Sequence, residues 1–137
     1  MYDAKLTRQS LPSESYRLLL GTAVCVFSSN NGFIIENVLH IDDTVSWNSL
    51  IDKPSGAVKK AVKGKLPEPI VELFGELVDE RNRIIHGFRI TNIEGEQSIG
   101  TKEKGKSHQF EITEKYIREF IRKNEKLSDM LHDFRGY

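Results

Sequence analysis

Apolar residues at helical spacing dominate the first part of the chain. Ser13 follows Pro12 and is expected to cap a helix, because its hydroxyl accepts a hydrogen bond from a backbone N–H of the first turn. Beyond it, apolar side chains recur every three or four residues, at Tyr16, Leu19, Leu20, Ala23, Val24 and Phe27. Leu18, Cys25 and Val26 make this helix apolar nearly all round, which is typical of a helix at the centre of a bundle or in a subunit interface.

The helical pattern is expected to break or kink at residues 30–32, where the sequence reads Asn-Asn-Gly. Residues 33–41 then carry a second short helical stretch. The segment 42–66 is less regular. It is predicted to hold one or two helical turns around Trp47, Leu50 and Ile51, a break at Pro54-Ser55-Gly56, and a short lysine-rich helix from Ala57 to Lys65.

The clearest helix is predicted from Pro67 to His86. Prolines at positions 67 and 69 suit a helix start, because the backbone N–H of a first-turn residue has no acceptor within the helix. Gly87 suits the position after the last helical residue, where a left-handed backbone is expected. The apolar stripe of this helix consists of Ile70, Leu73, Phe74, Leu77, Ile84 and Ile85.

After Gly87 the period of the apolar pattern changes to about two, which predicts strands. Turn sequences at Glu94-Gly95 and Lys104-Gly105 divide this region, and Thr113 is expected to cap a last helix. The predicted fold is therefore mainly α. It is a single domain over residues 1–137, a bundle of four to five helices with a small antiparallel β-ribbon at about 88–112, before the C-terminal helix.

Composition narrows the class of protein. With 137 residues, 38% hydrophobic and 29% charged, the chain can bury an ordinary core, which excludes a disordered protein. Twenty basic side chains balance twenty acidic ones, which disfavours a globally basic nucleic-acid clamp. The single Cys25 is interpreted as an inert buried thiol in a reducing cytosol. The longest apolar run, from Leu18 to Phe27, is ten residues, against about twenty needed to span a bilayer, so we expect a soluble, cytoplasmic protein with no membrane partner.

Arg81 lies inside the apolar stripe of the predicted 67–86 helix. Burying an unpaired guanidinium costs several kcal/mol, so Arg81 must meet a carboxylate, line a cleft or bind an anion. One interpretation pairs it with an acid of another helix, such as Glu36, Asp42 or Glu125. Asn82 is then an edge residue, and His86 only a cation at a helix end.

A sharper interpretation takes Arg81-Asn82-Arg83-Ile84-Ile85-His86 as one motif. This string resembles the signature of the HEPN superfamily, whose active members are largely metal-independent ribonucleases. The stretch from Glu80 to Gly87 is similar to helical HEPN domains of bacterial toxin, defence and phage-related systems. The helical plan, with one long helix after the motif, is similar as well.

The resemblance implies a role for each motif residue. His86 transfers protons, Arg81 holds the phosphate, and Asn82 orients either the imidazole of His86 or the phosphate. It also implies no metal ion and no cofactor, and a homodimer in which two such helices meet to form the site. An independent reason for pairing is that Arg81 and His86 lie about 140° apart on an ideal helix.

Basic residues upstream of the motif offer a path for RNA. Lys59, Lys60 and Lys63 carry much of a positive segment at 53–65, and Arg83 lies inside the motif. The alternative is that the lysines form a solvated face and that Arg83 pairs with Asp79, four residues before it. Lysines 102, 104 and 106 on the ribbon either form a further contact with phosphate or prevent the edge strand from pairing with a strand of another chain.

The sequence also raises one objection to the nuclease interpretation. Acidic residues on the solvated side of the motif helix would repel RNA and raise the pKa of His86. The four histidines show no spacing typical of a metal site, so none is predicted. The competing hypothesis is a non-catalytic dimeric helical module that binds a partner protein, such as an antitoxin or a regulator.

Overall fold

The computed structural model describes residues 6–102 and 108–136. In these ranges five helices and three strands follow one another. They are α1 (Glu14–Ile41), α2 (Trp47–Ile51), α3 (Ser55–Val62), α4 (Glu68–Ile85), β1 (Phe88–Thr91), β2 (Gln97–Lys102), β3 (Gln109–Ile112) and α5 (Glu114–Arg135). This confirms the prediction of a mainly helical fold with a small antiparallel sheet before the C-terminal helix.

The core lies where α1, α4 and α5 meet. Three phenylalanine rings, one from each helix, fill it: Phe27 stacks on Phe74 at 6.2 Å and on Phe120 at 6.1 Å between ring centroids. Val58 and Val62 of α3 are fully buried against the same core. Stacked aromatic pairs at these distances add to the stabilisation from burial alone, so the three rings help to hold α4 against α1 and α5.

Helix α1 is continuous, and the predicted break at residues 30–32 is wrong. Asn30 is buried, and its Nδ2 donates hydrogen bonds to the backbone oxygen of Asn124 at 2.7 Å and to the side-chain oxygen of Asn124 at 3.0 Å. A buried amide needs such partners, and α5 supplies them. The polar residues therefore serve helix packing rather than a turn, and the two predicted helical segments are one helix of 28 residues.

The helix starts predicted at Ser13 and Thr113 are confirmed by their capping hydrogen bonds. Ser13 Oγ accepts from the backbone N–H of Tyr16 at 3.1 Å, and Thr113 Oγ1 accepts from that of Tyr116 at 3.1 Å. The turn at Glu94-Gly95 is also present, with Gly95 at φ +82°. The second predicted turn, at Lys104-Gly105, lies outside the described residues.

Gly87 follows the end of α4, but the predicted left-handed backbone is wrong, because its φ is not positive. Space is the reason for glycine here. A Cβ at this position would overlap Cγ2 of Ile99 and approach the carbonyl oxygen of Gly100 to 3.1 Å. The glycine lets the chain pass close to β2 as it leaves α4.

The strands form an antiparallel sheet in the order β1-β2-β3, with Phe88 opposite Gly100 and Ile99 opposite Ile112. Tyr16 attaches this sheet to α1. Its hydroxyl donates to the carbonyl oxygen of Ile112 at 2.5 Å and accepts from the backbone N–H of Ile99 at 3.0 Å. Burial raises the pKa of Tyr16, which keeps the hydroxyl protonated as a donor. The sheet is thereby held beside the end of α4.

One side of α1 faces out of the bundle. Ala23 and Phe27 are buried, and Cys25 lies two residues from each, so a helix turning about 100° per residue points it the other way. The prediction of a buried Cys25 is wrong, because its side chain is exposed. Leu18 is 71% exposed. By length and composition α1 as a whole is long and apolar enough to cross a membrane, and the central helix of a bundle has the same properties.

Candidate functional site

Arg81 projects from α4 towards α1. The carbon at the centre of its guanidinium lies 5.7 Å from the centroid of the Phe27 ring, within the range of a cation–π contact. Its Nη1 donates to Oδ1 of Asn82 at 3.3 Å. Arg81 is half-buried. The first two residues of the predicted motif are therefore in contact.

None of the three carboxylates considered as partners pairs with Arg81. Asp42 binds Lys65 instead, at 2.7 Å between carboxylate oxygen and Nζ. Glu36 and Glu125 are exposed. Within residues 6–102 and 108–136, no ion pair of any kind involves Arg81. The interpretation of Arg81 as half of an intrachain ion pair gains no support.

Arg81 opens onto a cavity of about 330 Å³ between α1, α4, α5 and the segment that joins α2 to α3. We call it the Arg81 cavity. Its walls include Ala23, Val24, Ile84 and Ile85, and Phe27 and Phe120 also line it. Lys53 contributes a second cation, and no acidic residue is among the described residues that line the cavity. The cavity is thus apolar on most sides and positively charged.

His86 lies apart from this cavity. It caps the C-terminus of α4, where its backbone N–H donates to the carbonyl oxygen of Asn82 at 3.0 Å. Its side chain is exposed and does not line the Arg81 cavity. Five helical residues correspond to a rise of about 7.5 Å and a rotation of about 140°. Within one chain, Arg81 and Asn82 come together and His86 does not join them.

The predicted RNA-binding residues are only partly free. Lys59 pairs with Asp79 at 3.5 Å and packs over Gly75 of α4. Lys60 and Lys63 are exposed. The pairing of Arg83 with Asp79 is wrong, because Arg83 donates to the carbonyl oxygen of Lys102 in β2.

The contact of Arg83 with Lys102 joins α4 to the sheet, and Asp79 forms its ion pair with Lys59. Lysines 104 and 106 lie outside the described residues. The positive field expected from the upstream lysines is therefore partly compensated within the chain.

The acidic side of α4 is also partly neutralised. Lys123 of α5 binds Glu76 at 2.7 Å and Glu80 at 2.9 Å. Burial raises the pKa of Glu80, against the effect of Lys123, whereas the hydrogen bond from Lys123 lowers the pKa of Glu76. Burial disfavours the charge on Lys123, but the two carboxylates outweigh it and raise its pKa. The repulsion that these two acids would exert on RNA is reduced.

The ion pair of Asp42 with Lys65 leads to a prediction on acid stability. The hydrogen bond from Lys65, with two more from Thr44, lowers the pKa of Asp42 from 3.8 to about 2. Because the folded pKa is depressed, the stabilisation is complete above about pH 4 and is lost as the pH falls towards 2. The melting temperature of the wild type should therefore fall more steeply over this interval than that of Asp42→Asn.

Melting curves recorded by circular dichroism from pH 2 to pH 7 would measure this difference. Asp43→Asn is the matched control, because this neighbouring carboxylate is exposed and should leave the acid dependence unchanged. Parallel curves for the wild type and Asp42→Asn would contradict the prediction.

In the described part of the chain, no three His, Cys, Asp or Glu side chains lie close enough together to hold a metal ion.

Comparisons of the chain with protein-family models, curated proteins and solved structures give no match.

Sequence reasoning missed the place of Lys53 beside Arg81 and the contact of Arg81 with Phe27. Lys53 lies in a segment without a regular pattern, and the pattern marked Phe27 only as a core residue. No local signal relates either residue to Arg81.

Proposed function

We propose that this protein is a metal-independent endoribonuclease of the HEPN type. It acts as a homodimer, in the cytoplasm, and belongs to a toxin, defence or phage-related system. The observation that carries the proposal is Arg81: a half-buried guanidinium on an apolar helix face, in contact with Asn82 and without an ion-pair partner among the described residues. A charge in that position is explained if its partner is the phosphate of a bound RNA.

The chemistry needs only the motif residues, the RNA and water. The 2′-hydroxyl attacks the adjacent phosphorus, the 2′-oxygen–phosphorus bond forms, and the bond to the 5′-oxygen breaks. His86 accepts the proton of the 2′-hydroxyl or donates one to the leaving 5′-oxygen, because imidazole exchanges protons near neutral pH, and water takes up or supplies the other proton. Arg81 stabilises the charge that builds on the phosphoryl oxygens. The products are a 2′,3′-cyclic phosphate and a 5′-hydroxyl.

A dimer supplies what one chain lacks. Arg81 faces the cavity and His86 faces solvent, so a second α4 is needed to bring an imidazole to the phosphate. Val24, Ile85 and Phe88 support a contact between copies at this end of the helix, since each is 44% exposed although apolar. In a dimer these side chains would be covered and the two motifs would meet.

The test is incubation of the purified protein with total RNA in EDTA. The wild type should cut RNA and leave cyclic phosphate ends, whereas Arg81→Ala and His86→Ala should each be slower by about 10²–10³-fold. Arg122→Ala and His108→Ala are matched controls, since both side chains are exposed and neither lines the Arg81 cavity. Undiminished cutting by both motif variants would refute the site assignment.

The second candidate function is a non-catalytic dimeric helical module that binds a protein partner, such as an antitoxin or regulator. The separation of His86 from Arg81 within the chain favours it, together with the pairing of Lys59 with Asp79. Absence of RNA cutting by a folded wild-type dimer would favour this alternative over the nuclease.

A further inference from the structure

We propose that the Arg81 cavity binds a small organic anion that has an apolar body and a phosphate monoester or carboxylate head. This ligand is distinct from RNA, and its binding does not depend on ribonuclease activity. Because it would use the same guanidinium that the proposed function assigns to an RNA phosphate, the two ligands would compete for Arg81.

The size of the cavity suits a small molecule. About 330 Å³ lies near the lower end of the ~300–1,000 Å³ range of ligand sites. A volume of this order accommodates a short alkyl chain with one head group. Aliphatic side chains of α1 and α4 supply apolar walls for the carbon chain, among them Ala23, Val24 and Ile84.

The charges of the cavity select an anion. Arg81 and Lys53 are its two cations, and neither has an ion-pair partner in the described ranges. Among the described residues, the Arg81 guanidinium makes one hydrogen bond, to Asn82, so most of its donor fork remains available to an oxyanion. A neutral ligand would leave the guanidinium unpaired, and a cation would be repelled.

A further polar feature lies beside the same space. Helix α3 begins next to the cavity at Ser55, and Pro54 before it offers no side-chain cap, so the positive end of the helix adds to the field of the two cations. Asn31 also lines the cavity.

The experiment is titration calorimetry of the full chain with four probes: hexyl phosphate, hexanoate, inorganic phosphate and hexan-1-ol. If the cavity recognises both parts of the ligand, at least one of the two amphipathic probes should bind about tenfold or more tighter than inorganic phosphate and than hexan-1-ol. The tighter of hexyl phosphate and hexanoate then identifies the head group.

Variants locate the binding. Arg81→Met keeps the side-chain bulk over Phe27 and should weaken the amphipathic probe about tenfold or more, and Lys53→Met should weaken it less. Lys60→Met is the matched control, because Lys60 lies outside the cavity and should leave binding unchanged. Val24→Phe places a ring in the cavity from an exposed position and should block the amphipathic probe while keeping both cations.

Failure of both hexyl phosphate and hexanoate to bind more tightly than inorganic phosphate and hexan-1-ol would overturn the proposal, as would unchanged binding by both Arg81→Met and Val24→Phe. The assay contains no RNA, so its result is separate from that of the cleavage test. A chain that cuts RNA without binding the probes refutes the ligand site alone, and a chain that binds the probes without cutting RNA refutes the nuclease alone.

Discussion

Equal amounts of Arg81→Ala and His86→Ala protein, each nearly inactive alone, should regain roughly a quarter of wild-type RNA cleavage once their subunits exchange. After exchange, half of the dimers contain one chain of each variant, and we call these mixed dimers. If each site takes Arg81 from one chain and His86 from the other, one of the two sites in a mixed dimer has both native residues. The other site lacks both.

The geometry of α4 is the reason to expect this recovery. Arg81 is directed into the bundle against Phe27, while His86 ends the helix in solvent. A site confined to one chain would carry a substitution in every copy and would stay inactive after mixing. Recovery therefore separates a site shared between subunits from a site within each subunit.

The measurement is the initial cleavage rate in EDTA before and after mixing, with native mass spectrometry to show that mixed dimers have formed. A chain carrying both substitutions is the control, because mixing it with either single variant cannot assemble a native pair. Failure to regain activity in a sample rich in mixed dimers would contradict the shared site.

Phe74→Ala should lower the free energy of unfolding by about 3–5 kcal/mol. Phe74 is fully buried, and its ring stacks on Phe27, which in turn supports Arg81. Removing the ring loses the stabilising free energy of its burial and leaves a cavity where α1, α4 and α5 meet. This is the largest stability effect that we expect from one substitution.

Urea unfolding followed by circular dichroism would measure this loss. Phe88→Ala is the matched control: the same atoms are removed from a side chain that is 44% exposed in the single chain, so the cost should be well below that at Phe74. Equal losses at the two positions would contradict the assignment of Phe74 to the centre of the core. If the protein is a dimer through this face, the cost at Phe88 should rise with protein concentration.

Local signals were sufficient for the helix starts and for the sheet. The caps at Ser13 and Thr113 depend on a side chain three residues from its partner, and the strand region depends on alternation along one segment. The apolar period of α4 likewise placed Arg81 on the side of the helix that faces α1. Each of these features is decided by residues close in sequence, which is why the pattern predicted them.

Partners distant in sequence decided the rest. Asn30 became part of a continuous α1 because Asn124 of α5 satisfies its amide, and Gly87 is required by the closeness of Ile99 rather than by its own backbone angles. The side chain of Arg83 donates a hydrogen bond to the carbonyl oxygen of Lys102 in β2, and it does not pair with Asp79, four residues before it in α4.

The amino-acid sequence by itself determined the order of helices and strands and the spacing of Arg81, Asn82 and His86, because backbone periodicity and capping act over a few residues. Only the tertiary structure decided that Arg81 rests on Phe27, shares a cavity with Lys53 and has no ion-pair partner among the described residues. Which charges are paired and which remain available depends on distances between helices, and packing of the whole core sets those distances.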